Sequence, residues 1–206
     1  VAQIIRKLRL LLYTQTFISI NIFNMKNLFR LAVFATTLML GFKATAQNNM
    51  EKKPAEDKTK RPSPPAKVIQ KIKSGATIII DYSQPTVKGR TIGKDLEPME
   101  GKVWRTGANE ATVFETDRNV KINGSELPAG KYAFFTIFNG KDVTLIFNKV
   151  AKQWGAFKYT EAEDQLRVQT KVSKLSSSQE RMAFEISKSG KVNLLWGNKK
   201  VSFKVK

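Results

Sequence analysis

Lys191-Val192-Asn193-Leu194-Leu195-Trp196-Gly197-Asn198-Lys199-Lys200-Val201-Ser202-Phe203-Lys204-Val205-Lys206 is the stretch that decides the fold. Val201, Phe203 and Val205 share one face of an extended chain, and Ser202, Lys204 and Lys206 share the other. Val192, Leu194 and Trp196 alternate in the same way against Lys191 and Asn193. Successive side chains of a strand point to opposite faces, so a period of two with one apolar set marks a half-buried β-strand. Gly197-Asn198 reads as the turn between two such strands.

The same rhythm runs upstream. Residues 66–73 and 76–82 flank Ser74-Gly75 and read as a hairpin. Short strands are expected at 112–116 and 120–122, either side of Asp117-Arg118-Asn119. Asn123-Gly124 is the strongest local turn signal, because both residues tolerate positive φ. Further strands are expected at 131–138, 143–147, 166–172 and 182–186, with room for one helical turn over 161–166. Eight to ten short, mostly antiparallel strands with no long helix make an all-β domain, a β-sandwich or related barrel. Two strands break the alternation, the first of them 131–138. Tyr132, Phe134 and Phe138 lie on one face of 131–138, while Ala133, Phe135 and Ile137 lie on the other. That strand is expected to be central and covered on both sides, the second side by a loop, a partner chain or a ligand. Ile78 and Ile80 opposed by Ile79 carry the same expectation.

Composition removes several chemistries. The 206 residues include 36 Lys+Arg, 17 Asp+Glu, no His and no Cys, for a net charge of +19. Without His or Cys there is no Ser-His-Asp triad, catalytic thiol, disulfide framework or typical zinc or copper site. No Gly-x-Gly-x-x-Gly, Walker loop, Gly-x-Ser-x-Gly or Ser-x-x-Lys occurs, and the acidic residues lack EF-hand spacing, so neither cofactor nor metal is implied.

The first residues read as a targeting segment. Met25-Lys26-Asn27-Leu28-Phe29-Arg30 is a charged start, residues 31–42 are apolar, and Ala44-Thr45-Ala46 offers the small residues of a cleavage site. A signal peptide over 25–46 with cleavage after Ala46 is expected, and with it a periplasmic or extracellular location. Residues 1–24 then read as an upstream extension ahead of a start at Met25. The 12-residue apolar run is too short for a spanning helix of about 20 residues, and no lipid-attachment Cys follows it, so a soluble exported product is expected. Residues 47–65 are charged, Pro-bearing and nearly free of large apolar side chains, as in a disordered tether. One β domain over 66–206 remains.

After Ala46 there are 30 basic against 17 acidic residues. The lysines fall on outward strand positions and turns throughout, among them Lys67, Lys121, Lys131, Lys158 and Lys204, rather than on one face. That dispersion argues against nucleic acid and is what protects strand edges from pairing. The summed field suits an anionic glycan or another envelope component.

The most varied polar segment follows the second strand. Asp81-Tyr82-Ser83-Gln84-Pro85, Lys88-Gly89-Arg90, residues 103–112 (Val-Trp-Arg-Thr-Gly-Ala-Asn-Glu-Ala-Thr), residues 127–132 (Leu-Pro-Ala-Gly-Lys-Tyr), Ile146-Phe147-Asn148-Lys149 and Gln153-Trp154-Gly155 occur in that order. In these six motifs the chain resembles domain-of-unknown-function family 2911, a family of exported bacterial proteins. The resemblance covers residues 64–206 and departs at Lys141-Asp142-Val143, where the pattern carries a Trp before the strand. It implies one compact domain and no activity.

The chemistry must therefore come from the residues. Arg90 and Arg105 present planar forks for carboxylate, phosphate or sulfate, with Lys88 as a further cation. Tyr82, Trp104 and Trp154 offer flat faces for a sugar ring, and Asn109 both donates and accepts. Asp81 and Glu110 are carboxylates that either form an acid–base pair or neutralise the arginines. Three functions stand side by side: non-catalytic binding of an anionic or carbohydrate ligand near Trp104-Arg105; a hydrolase or lyase using Asp81 and Glu110; and a structural or assembly partner in the cell envelope. A purely structural account also serves, in which Arg105 pairs with Asp81 to tie the loop down and Trp104 plugs the core.

Overall fold

The computed structural model describes residues 56–206. The expected extension 1–24, the signal peptide 25–46 and residues 47–55 of the tether lie outside the described residues. Ten strands follow: β1 (Pro65–Lys71), β2 (Thr77–Ser83), β3 (Val103–Trp104), β4 (Thr112–Thr116), β5 (Val120–Ile122), β6 (Ser125–Leu127), β7 (Gly130–Asn139), β8 (Asp142–Asn148), β9 (Asp164–Ile186) and β10 (Lys191–Lys204). Three-residue 3-10 turns occupy Lys58–Lys60 and Glu161–Glu163. The main sheet runs β1-β2-β4-β7-β8-β9-β10 with β3 against β7, while β5 and β6 form a separate hairpin around Asn123-Gly124. Every strand pairing is antiparallel, and the sheet curls into a half-barrel.

The curl is carried by two long strands. The first part of β9 pairs with β8, and its second part pairs with β10. That second part also meets the chain leaving β2. Thr86 bridges Arg181, the Val87 N–H donates to the Glu180 carbonyl at 2.9 Å, and the Met182 N–H donates to the Pro85 carbonyl at 3.0 Å. Residues 166–172 and 182–186, expected as two strands, are thus one. So are 192–196 and 201–205. Gly197 is a bulge rather than a turn: the register shifts on both sides of it, and its φ is +56°. A bulge and a turn both call for a glycine at positive φ, which is why the sequence signal is the same. A Cβ at Gly197 would also lie 2.4 Å from Ile92 Cδ1, so the glycine lets the loop after β2 pack on the bent strand.

The concave side holds the core, including Ile78, Ile80, Phe114, Phe134, Phe147 and Phe203. Phe114 and Phe134 each sit 5.1 Å from Phe147, centroid to centroid. β7 lies between β4 and β8 and is apolar on both faces, as expected. Its second face carries Ala133 and Phe135, which pack with Ala111 and Ile146. The cover is a loop: Ala156 and Tyr159 lie over this cluster, with the Tyr159 ring edge-on to Phe135 at 5.1 Å. Ile79, by contrast, is only half-buried on the convex side.

Residues 56–65 lie on this domain without burying an apolar side chain in their 3-10 turn. Ionic contacts replace apolar ones. Arg61 donates to Glu110 at 2.8 Å and to Glu56 at 2.5 Å, and its guanidinium stacks 5.6 Å from the Trp154 ring centre.

Candidate functional site

The connection from β2 to β4 holds most of the candidate residues, and its geometry is costly. Thr106 adopts φ +52° and Asn109 φ +58°. A β-branched residue in the left-handed region is a genuine outlier, held only when its surroundings over-determine it. Here they do. The Thr106 hydroxyl lies 3.1 Å from that of Thr136, and its carbonyl accepts from Thr112 Oγ1 at 2.7 Å. Trp104 Nε1 donates to the Gly107 carbonyl at 3.1 Å. Gly107 has no room for a side chain, since a Cβ would sit 3.0 Å from Thr112 Oγ1 and 3.2 Å from the Ser83 carbonyl.

This frame aims Arg105 into a cavity of about 190 Å³ that Arg90, Glu97, Trp104 and Trp196 also line. Arg105 Nε is shut off from solvent and has no hydrogen-bond partner. Burial pushes the Arg105 guanidinium below its ordinary pKa, and the nearby Glu97 charge only opposes that shift. Among the described residues no carboxylate lies within ion-pair distance of it. Arg90 is better satisfied, donating through Nη2 to the Thr86 carbonyl at 2.7 Å and through Nε to the Val87 carbonyl at 3.1 Å. Trp196 is fixed by Nε1 donating to the Glu97 carbonyl at 2.8 Å.

The expected Arg105–Asp81 tie is absent. Ile80 and Tyr82 point into the core, so Asp81 must point outward, where Lys67 sits directly opposite on β1 and approaches to 3.2 Å. Tyr82 and Trp104 are core side chains and offer no open face; the Tyr82 hydroxyl accepts from the Phe184 N–H at 3.2 Å. Lys88 is exposed and away from the cavity, its N–H donating to Glu180 at 2.8 Å.

Asn109, Glu110 and Trp154 form a second group under residues 56–65. Asn109 Nδ2 donates to the Ser63 carbonyl at 3.0 Å. Glu110 accepts from Lys58 at 2.7 Å and Arg61 at 2.8 Å. Burial alone would raise the Glu110 pKa, but these hydrogen bonds outweigh it and hold the carboxyl below its ordinary value. Asp81 and Glu110 do border one hollow of about 160 Å³. Each is already matched with a cation there.

Arg90, Trp104 and Arg105 line one cavity together with Glu97 and Trp196, which the sequence alone does not single out, while Arg61 meets Glu110 and Trp154. From sequence Trp196 is an inward strand residue and Arg61 falls in the expected tether. Nothing in the local pattern connects either to the Arg105 loop.

The fold and the site define a class: a small all-β half-barrel with a cavity lined by an arginine whose buried Nε has no hydrogen-bond partner. The chain belongs to the family described as Protein of unknown function (DUF2911), whose model matches residues 63–205. Comparison with curated proteins and with solved structures gives no match. Among the described residues no helix is long and apolar enough to cross a membrane, and no three acidic side chains cluster to hold a metal ion.

Proposed function

We propose that this protein is an exported, non-catalytic binding domain that takes a small anion, or an acidic sugar bearing one, in the Arg105 cavity. The observation that carries the reading is the buried, unpartnered Nε of Arg105. An arginine stays charged, and a half-buried guanidinium whose Nε–H has no acceptor gains from a ligand that supplies one together with counter-charge. A carboxylate, sulfate or phosphoryl group presents the paired oxygens that a guanidinium fork accepts. The cavity suits a small group rather than a polymer, with Trp104 and Trp196 among the residues that line it. Export rests on the charged, apolar and small-residue series over 25–46.

The hydrolytic alternative has one observation in its favour, the shared hollow of Asp81 and Glu110. A general acid needs a raised pKa, and that of Glu110 is lowered. Thermal denaturation in phosphate, sulfate and glucuronate separates the readings, because a ligand that binds only the folded state raises its midpoint. At least one anion should raise the midpoint of the wild type and leave Arg105→Met unmoved. Equal shifts in both proteins, or none in either, would overturn the proposal. For export, the secreted product should begin at Gln47.

A further inference from the structure

A different surface carries a second inference, independent of the cavity. The loop joining β8 to β9 exposes Val150 (44%), Trp154 (57%) and Phe157 (86%), three of the four large apolar side chains that lie exposed among the described residues. Its inner side is firmly held. Gln153 is buried, donates to Asn148 Oδ1 at 3.1 Å and to the Val150 carbonyl at 2.7 Å, and its own carbonyl accepts from the Ala111 N–H at 2.9 Å. Tyr159 packs on Phe135 and donates to Asp164 at 2.6 Å. The outward apolar side chains are therefore not a floppy tip. The Phe157 ring folds over Gly155, where a Cβ would meet it at 2.7 Å, so Trp154 and Phe157 flank one glycine.

The charges around them are positive: the Arg61 guanidinium lies 5.6 Å from the Trp154 ring centre and leaves that residue 57% exposed. Lys152 and Lys158 are exposed and make no ion pair among the described residues. The neighbouring acids are matched: Glu163 by Lys149 at 3.4 Å, Glu161 by Arg167.

We propose that this loop docks the protein on an anionic lipid surface, with Val150, Trp154 and Phe157 entering the boundary between headgroups and acyl chains and Lys152 and Lys158 meeting the lipid phosphates. Tryptophan and phenylalanine favour that boundary, and lysines reach the headgroups while their stems stay apolar. A protein-interface core is depleted in lysine, whereas here Lys152 and Lys158 flank Trp154 and Phe157 in sequence. A glycan site needs free acceptors as well as donors around its aromatic platform, and the neighbouring carboxylates of Glu161 and Glu163 are already engaged by cations.

Trp154 makes the test local, because the other tryptophans, Trp104 and Trp196, are buried. The full chain is mixed with phosphatidylcholine vesicles containing or lacking phosphatidylglycerol, some with brominated acyl chains. Trp154 emission should shift to the blue and be quenched by the bromines only with phosphatidylglycerol present, and about 0.5 M salt should weaken the effect. Lys152→Gln with Lys158→Gln should weaken partitioning roughly tenfold or more, and Phe157→Asp should abolish the quenching. Unchanged emission of buried Trp104 and Trp196 in the variants reports an intact fold. Vesicle sedimentation without quenching of Trp154, equal quenching in the variants, or the same blue shift from a soluble anionic polysaccharide would each overturn the proposal.

Discussion

Replacing Arg105 with methionine should make the free protein more stable. The perturbation keeps most of the aliphatic stem and removes only the guanidinium, whose Nε has neither solvent nor a partner. A buried donor left unsatisfied costs about 1–3 kcal/mol, and replacing it by an apolar group of similar shape recovers that cost. Loss of the attraction to Glu97, the minor influence on Arg105, offsets part of the gain. For a domain near 150 residues each kcal/mol moves the midpoint by about 2–4 °C, so a rise of about 2–10 °C is expected. Urea denaturation should show a higher midpoint at unchanged slope, since the surface exposed on unfolding stays the same. A loss of about 1 kcal/mol or more would mean that Arg105 is bonded in the free protein, and the cavity would lose its case as an anion site.

Three further outcomes follow from the packing and ion pairs. Phe134→Ala should cost about 3–5 kcal/mol by calorimetry, because the ring is buried among Phe147, Phe184 and Phe203; a loss below about 1 kcal/mol would undo the placement of β7. Gly197→Ala should cost about 1–2 kcal/mol for the left-handed backbone alone, and an unchanged midpoint would contradict the bulge. The folded pKa of Glu110 lies below its ordinary value, so the stabilisation it gives residues 56–65 is full above that ordinary value and is lost as pH falls through the lowered one. Hydrogen exchange of residues 56–65 should therefore accelerate on acidification relative to the strands, and Glu110→Gln should show the faster exchange already at neutral pH; equal behaviour of the two proteins would refute the link.

The strands whose signals are local were legible. β1 and β2 flank Ser74-Gly75, β5 ends at the Asn123-Gly124 turn, and the two apolar faces of β7 announce its central place, whereas the three-residue β6 is too short to carry a pattern of its own. The long strands were not, because Gly197-Asn198 carries the chemistry of a turn while the backbone uses it to bend. The same unequal legibility applies to the site. Arg90, Trp104 and Arg105 crowd one stretch of sequence and line one cavity, but Arg105 does not pair with the expected Asp81. Period two already contained the correction: with Ile80 and Tyr82 inward, Asp81 has to face Lys67. Arg61 over Trp154 joins segments far apart in the chain, and a contact of that kind leaves no local pattern.

The most direct test of the account is the Arg105 side-chain Nε–H resonance in a proton–nitrogen correlation spectrum, titrated with phosphate or glucuronate. An anion site at Arg105 gives a signal that is protected from solvent in the free protein and moves saturably as the anion is added, alongside changes at Arg90 and Trp196. A resonance that stays fixed while exposed lysine signals drift with the added salt would contradict it.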